Sequence, residues 1–314
     1  MKTKIRIGIL GIGAVGGYFG GRLAQKYATS GSVEIVFITR ASSECIIKNY
    51  GLTLLTSDSE DFVYHNLVTS DLNKVGVLDY LICAVKSYDL EESLLSLKGS
   101  ISDNTVILSL QNGVDTKERI QKIYPTIEVL EGCAYIVAKL VAPATVQVMG
   151  KMHSLYFGSA TVSAKRQNEL ADILNADGID CYLSPNIEQL LWEKFVFVSS
   201  LATLTSFLNL SIGPILEDEN HRTKLRQLVT EAANIANRNT VLLPDIIEIT
   251  MKKFTTLHYD ATSSMHNDFL KGRKTESQTL TNFIVISGLR LGVPTPEYDS
   301  IMATYLQWKM DYVL

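Results

Sequence analysis

Between the apolar run "KIRIGIL" (4–10) and a segment of helical period over 14–28 stands Gly11-Ile12-Gly13-Ala14-Val15-Gly16. The spacing G-x-G-x-x-G alone is a weak signal. Here it follows a strand-like run directly and opens a helix inside a β-α-β unit, and that context makes it strong. Gly11 permits the tight turn, Gly13 lets backbone amides approach a pyrophosphate, and Gly16 lets helix and strand pack closely. The helix N-terminus adds partial positive charge for the phosphates. The competing reading is a glycine-rich packing turn without a ligand, but every context requirement of the fingerprint is met.

The rest of the first half carries the same rhythm. "VEIVFIT" (33–39), "LDYLICAV" (78–85) and "NTVILSL" (104–110) read as strands, with "SYDLEESLLSLK" helical between the last two. Continuous apolar strands separated by helices indicate a parallel sheet covered on both faces. "CAYIVAKLVAPATVQVM" and "HSLYFG" are expected to extend it as antiparallel strands, before a helix (164–175) and a strand (179–183). After "SPN" (184–186) every convincing segment has helical period: 187–209, 219–239, 245–257, 263–271, 275–291 and 297–313. The expectation is an α/β Rossmann-type dinucleotide-binding domain over 1–185, followed by an all-α domain over 186–314. At 314 residues the chain exceeds most single cores. A catalytic cleft normally lies between two such domains.

The end of the second strand decides which dinucleotide fits. NAD enzymes usually place an acid there for the ribose hydroxyls. This chain has "FITRASS", with Thr39, Arg40, Ser42 and Ser43 and no carboxylate until Glu44. Arg40 is placed to pair with a 2′-phosphate, which an acid would repel. The bland alternative is a solvated loop arginine. The expected cofactor is NADP(H).

Bulk numbers exclude several classes. Net charge is −4, from 29 basic and 33 acidic residues, and neither sign clusters. That argues against a nucleic-acid or anionic-membrane partner. Cys45, Cys83, Cys133 and Cys181 lie far apart with no CxxC, as reduced and mostly buried thiols in a cytoplasmic protein would. The N-terminal "MKTKIRIGILGIGAVGG" mimics a signal peptide, yet Arg6 interrupts it and no A-x-A-like site follows. Residues 195–216 carry no charge over 22 positions. Their Ser, Thr and Asn content and Gly213-Pro214 fit a buried helix and a turn better than a bilayer span. That run is core or the face of a homodimer. His65, His153, His221, His258 and His266 match no ligand spacing. The pair His258 and His266, with Asp260 and Asp268, reads as a solvated helix surface, and no metal is expected.

One lysine stands out. In "EQLLWEKFVFVSSL" (188–201), Lys194 falls in the helical seam of Ile187, Leu190, Leu191, Phe197, Val198 and Leu201. A burial-prone ammonium costs several kcal/mol unless something offsets it. From helical phase alone, the favoured reading is a lysine snorkelling out of a core helix.

Taken in order, G-x-G-x-x-G, "AVKSYD" (84–89), "LQNGVD" (110–115), "LWEKF" (191–195) and "SSMHNDFLKGRKTE" (263–276) resemble the ketopantoate reductase (2-dehydropantoate 2-reductase) family over essentially the whole chain. The resemblance implies NADPH-dependent reduction of a 2-oxo acid to a 2-hydroxy acid, in the family the step that makes pantoate on the route to pantothenate and coenzyme A. It also implies that Lys194 is the general acid, stabilising the developing alkoxide and protonating it. Burial would lower its pKa and improve it as an acid.

By the same resemblance Glu276 orients Lys194 or binds a substrate hydroxyl, where the bare sequence favours a helix N-terminal glutamate. Lys86 faces cofactor and substrate, and Asn112 contacts the nicotinamide end and the substrate; both sit at ends of expected strands, although Gln111-Asn112-Gly113 alone reads as a turn. Ser264 matches a substrate-binding serine, against a simple helix N-cap. Ala138 falls where the family approaches the cofactor through backbone.

The pattern breaks on the substrate side. Asparagines typical of the family after the lysine and before the serine are here Val198, Ala202 and Ala261, and an acid after the glutamate is Gln278. Ser199, Ser200 and Thr203 are the candidates to compensate. Loss of amide partners changes discrimination by orders of magnitude, so a less polar 2-oxo acid is the alternative substrate. A non-catalytic NADP(H)-binding sensor is the alternative from another class.

Overall fold

The computed structural model describes residues 4–64 and 67–312, with side chains through residue 305. In chain order β1 (Ile5–Leu10) leads into α1 (Ala14–Lys26), then β2 (Val33–Ile38) and α2 (Ala41–Tyr50). Three short strands follow, β3 (Leu52–Leu55), β4 (Glu60–Val63) and β5 (Leu67–Thr69). Next come β6 (Tyr80–Cys83), α3 (Leu90–Ser96), β7 (Val106–Ser109) and α4 (Thr116–Ile123). Two long strands, β8 (Glu128–Ala142) and β9 (Thr145–Gly158), precede α5 (Ala164–Leu174) and β10 (Asp180–Leu183).

Six strands lie in the order β5-β2-β1-β6-β7-β8, all parallel. The chain moves outward from β1 in both directions, so strand order reverses there. In such sheets the ligand crevice opens at the carboxyl ends of the strands beside that reversal. β9 runs antiparallel to β8, as expected, and also pairs with β3 and β10 in parallel. The short strands of 52–69 had no counterpart in the sequence reading. Segments of three and four residues are too brief for a period to show.

The apolar runs are continuous because both faces of the sheet are covered. Ile7, Ile9, Ile35 and Phe37 pack on one side with Phe19 and Leu23 of α1. Their strand neighbours Leu10, Val36 and Ile38 pack on the other with Leu90 and Leu94 of α3 and Ile120 of α4. The side-chain period of two is present, but polar residues do not mark it.

The second half is helical throughout: α6 (Ile187–Leu208), α7 (Ile212–Glu217), α8 (Glu219–Arg238), α9 (Ile246–Thr255) and α10 (Ser264–Leu270). A π-helical stretch, Gln278–Asn282, runs into α11 (Phe283–Leu291), and α12 (Pro296–Tyr312) closes the chain. The expected turn at Gly213-Pro214 is instead the first turn of α7, where proline lacks no hydrogen bond. α6 is long and apolar enough to cross a membrane by length and composition, yet 61% of that stretch is buried. Its Phe195, Val196, Ala202 and Leu204 belong to the helical core. Glu188 onward forms one compact unit together with Asn112–Val114, while Asp115–Ile187 groups with the residues up to Gln111.

Candidate active-site elements

The glycine turn joins β1 to α1, and its three glycines answer to three different demands. Gly11 has φ +91, and a Cβ there would lie 2.9 Å from the backbone nitrogen of Val85. A Cβ on Gly16 would stand 2.1 Å from the Gly11 carbonyl oxygen and 2.9 Å from Ala84 Cβ. Both are required by the protein itself. At Gly13 a Cβ would meet nothing within 4 Å. Glycine is a favoured residue at this N-cap position of α1, and its open side leaves room for a ligand to approach the backbone. The amides of Ala14, Val15 and Gly16 open α1, where no intrahelical acceptor serves the first N–H groups, and the first turn holds no acid. The cradle therefore fits a dinucleotide pyrophosphate.

Arg40 lies exposed two residues past the end of β2, at the N-cap position of α2. Glu44, one turn on, accepts from the Ser70 amide at 2.7 Å. The Ser70 hydroxyl and Lys48 bind it as well. Lys48 first, then Ser70, hold this carboxyl down at about 2. Glu44 is thus committed as an anion to the protein's own donors.

Lys86 follows β6 and sits half-buried at the N-cap of a 3-10 turn, Ser87–Asp89. That turn is held from α4. Arg119 donates to the Ser87 carbonyl at 2.5 Å and grips both oxygens of Glu91 at 2.6 and 2.9 Å. Gln111 Nε2 donates to the Val85 carbonyl at 3.0 Å, linking the ends of β6 and β7. Thus the glycine turn, Arg40 and Lys86 follow three adjacent strands, β1, β2 and β6. Asn112 is half-buried three residues beyond β7. Ala138 lies in β8 opposite Val148, just past a bulge at Ile136/Val137. The contribution of Arg119 was not recognised in the sequence, since an Arg–Glu pair separated by 28 positions has no local signature.

In the helical unit Lys194 is half-buried on α6. The helix is fixed beside it by an aromatic cluster: Trp192, Phe195 and Phe283 have ring centroids 5.5–6.2 Å apart. Glu276 is only 4% exposed and immediately precedes the helical turn that begins at Ser277. Its carbonyl accepts from the amides of Thr279 and Leu280 at 3.0 and 2.9 Å. α6 clamps the π-helical stretch that follows. Ser199 Oγ donates to the Leu280 carbonyl at 2.7 Å, and Thr203 and Thr281 hydroxyls meet at 2.8 Å. π-Helical segments frequently mark functional sites.

Those bonds correct one expectation. Ser199, Ser200 and Thr203 do not stand in for missing amides. Ser199 is bonded to Leu280 and Tyr298, Ser200 to the Val196 carbonyl, and Thr203 to Thr281. All three are buried. Val198 and Ala202, one and two turns past Lys194, leave that stripe of α6 apolar. The Ala261 carbonyl accepts from the Ile212 amide at 2.9 Å, and Gln278 is exposed and accepts from Asn282.

Ser264 is exposed at the first position of α10. The N-cap is its neighbour Ser263, whose hydroxyl accepts from the His266 amide at 3.0 Å. His266 is not the solvated residue expected. It is buried between Thr262 and Asn209, and burial lowers its pKa. Among the described residues no metal-binding cluster forms; His65 lies outside them. Cys83 and Cys133 are buried, Cys181 is half-buried, and Cys45 is exposed.

Known proteins share this arrangement. Residues 7–161 match the family described as "Ketopantoate reductase PanE/ApbA", and residues 186–307 match its "C terminal" counterpart. An uncharacterized oxidoreductase, YkpB of Bacillus subtilis, is 25% identical over 305 residues, covering 96% of this chain and 98% of that one. The 2-dehydropantoate 2-reductase of Mesorhizobium japonicum is 26% identical over 321 residues, 95% and 96% of the two chains. Among solved structures, the 2-dehydropantoate 2-reductase from Porphyromonas gingivalis W83 superimposes with TM-score 0.84 at 28% identity, over 97% of this chain and 100% of that one. A D-mandelate dehydrogenase bound to NADH and anilino(oxo)acetate gives 0.83 at 25%, over 95% and 96%.

Proposed function

The chain belongs to the ketopantoate reductase family, oxidoreductases with an NAD(P)-binding Rossmann domain, and we propose that it reduces 2-dehydropantoate to pantoate with NADPH. Lys194 carries the reading: a half-buried ammonium at the head of a 22-residue uncharged run, on a helix fixed by Trp192, Phe195 and Phe283. When bound, the nicotinamide supplies the hydride to the keto carbon. Lys194 Nζ donates a hydrogen bond to the keto oxygen, stabilises the negative charge that develops there, and delivers the proton that completes the hydroxyl. Glu276, nearly buried at its helix start, orients that ammonium or accepts from a substrate hydroxyl. Ser264 receives the substrate carboxylate, with Lys86 and Asn112 on the cofactor side. Arg40 pairs with the 2′-phosphate, since Glu44 is already taken by Ser70 and Lys48.

A second reading keeps this chemistry and changes the substrate. Val198 and Ala202 line the stripe beyond Lys194, and the hydroxyls around them are bonded within the protein. That favours a 2-oxo acid with an apolar side chain. The experiment follows NADPH oxidation with 2-dehydropantoate, 2-oxoisovalerate and pyruvate in parallel, with NADH as control. Rapid NADPH-specific turnover of the first compound supports the leading reading. Preference for 2-oxoisovalerate selects the second. Tight NADPH binding without turnover of any oxo acid defeats both and leaves a cofactor-binding sensor.

A further inference from the structure

The helical unit contains a cavity of about 250 Å³ that none of the proposed catalytic residues lines. Its apolar wall includes Phe207, Met265, Phe269 and Met302, and its polar side includes Thr203, Ser206 and Thr281; among the described residues that line it none is charged. Thr203 is nine positions past Lys194, which at about 100° per residue places it roughly opposite the lysine on α6. The cavity adjoins the clamp on the π-helical stretch, and Thr275 and Ser277, on either side of Glu276, also line it.

One group in the wall points to an occupant. Ser200 and Thr205 each bond the carbonyl four residues back on α6, as buried helical hydroxyls commonly do. Ser206 does not. Its Oγ is buried and has no hydrogen-bond partner among the described residues. A buried hydroxyl without a partner is unfavourable, and an occupant offering a donor or acceptor would relieve it. The surrounding apolar surface asks for a hydrocarbon body, and the lack of charge leaves a carboxylate or ammonium uncompensated. Cavities of about 150 Å³ already admit benzene, so a substituted ring fits.

We propose that this cavity is a second binding site, separate from the catalytic elements, for a neutral monocyclic molecule bearing one hydroxyl or carbonyl group. The proposal does not depend on which 2-oxo acid is reduced. The test is a ligand-observed NMR titration of the full chain with phenol, with benzoate in parallel. Two variants accompany it. Ser206→Ala removes a hydroxyl that holds nothing in the fold, so the protein stays folded. Met302→Trp fills the space. Saturable phenol binding is expected, weakened about three- to tenfold by Ser206→Ala and abolished by Met302→Trp, while benzoate, a carboxylate that the proposed catalytic site can hold, binds to the same extent with and without either substitution. A cavity holding water alone would give no saturable phenol binding, which overturns the proposal. So does benzoate binding that Met302→Trp abolishes along with that of phenol, or phenol affinity that neither substitution changes.

Discussion

The glycine turn and the lysine helix place functional groups in opposite ways. The turn offers backbone amides, and everything that shapes it lies within six consecutive residues and the strand ends they touch. The lysine helix offers one side chain, and the bonds tying that helix to the Glu276 segment span 81 and 78 positions. A local device is robust to its surroundings and easily broken from within. A device assembled from distant parts should lose activity, stability or specificity separately, depending on which part is removed.

The largest separation is expected at Lys194. Lys194→Ala should lower kcat/KM by about 10²–10⁴-fold, the usual contribution of a positioned general acid. NADPH affinity, followed by quenching of its fluorescence, should hold. Parallel loss of both would break the division between the two regions.

Within the turn, two glycines should behave differently. Gly16→Ala drives a Cβ into the Gly11 carbonyl and should destabilise the fold by about 3 kcal/mol, the upper end of overpacking. Gly13→Ala has room for its methyl group and loses only a favoured N-cap residue, so unfolding should cost less than about 1 kcal/mol while NADPH affinity falls about tenfold or more, at least 1.4 kcal/mol. Equal melting temperatures for the two variants would contradict the assignment of Gly13 to the ligand.

Arg40→Ala sharpens the cofactor side. Losing charge-assisted bonds to the 2′-phosphate should raise KM for NADPH by about 10- to 100-fold and leave NADH nearly unaffected. A smaller effect belongs to the clamp: Ser199→Ala should cost about 1 kcal/mol in urea unfolding, because it removes the bond to Leu280. If kcat also falls, the π-helical stretch sets the position of Glu276.

The smallest effect is a pH dependence. Glu44 has its folded pKa lowered from 4.5 to about 2, so its contribution to stability is complete above the ordinary value and is lost as pH falls from 4.5 towards 2. Glu44→Gln should flatten the acid limb of the unfolding midpoint over that window. An unchanged slope would show that Ser70 and Lys48 do not hold the carboxylate.

Much of the first unit was readable because its rules are short-range. Parallel strands buried on both faces read as apolar runs, and the order of the fingerprint glycines implies the turn. The short strands of 52–69 and the helix after Arg40 lacked enough periodic residues to register. On the helical side, segment boundaries followed from the prolines and the 3.6 period, but environments did not. His266 looked solvated and is buried, since periodicity does not say which neighbour covers a face. The N-cap of α10 fell on Ser263, one residue from the position that kinship had singled out.

The sequence alone determined the sheet-then-helix order, the glycine turn between β1 and α1, and the place of Lys194 at the head of an uncharged run. Each depends on neighbours a few positions apart, and local backbone chemistry suffices to decide it. Tertiary structure decided how the polar groups are used. It committed Glu44 to Ser70, held the turn beyond Lys86 with Arg119, and bound Ser199 and Thr203 to the π-helical stretch. A hydroxyl or carboxylate has the same formula whether it faces a ligand or a distant carbonyl, and packing alone selects between them.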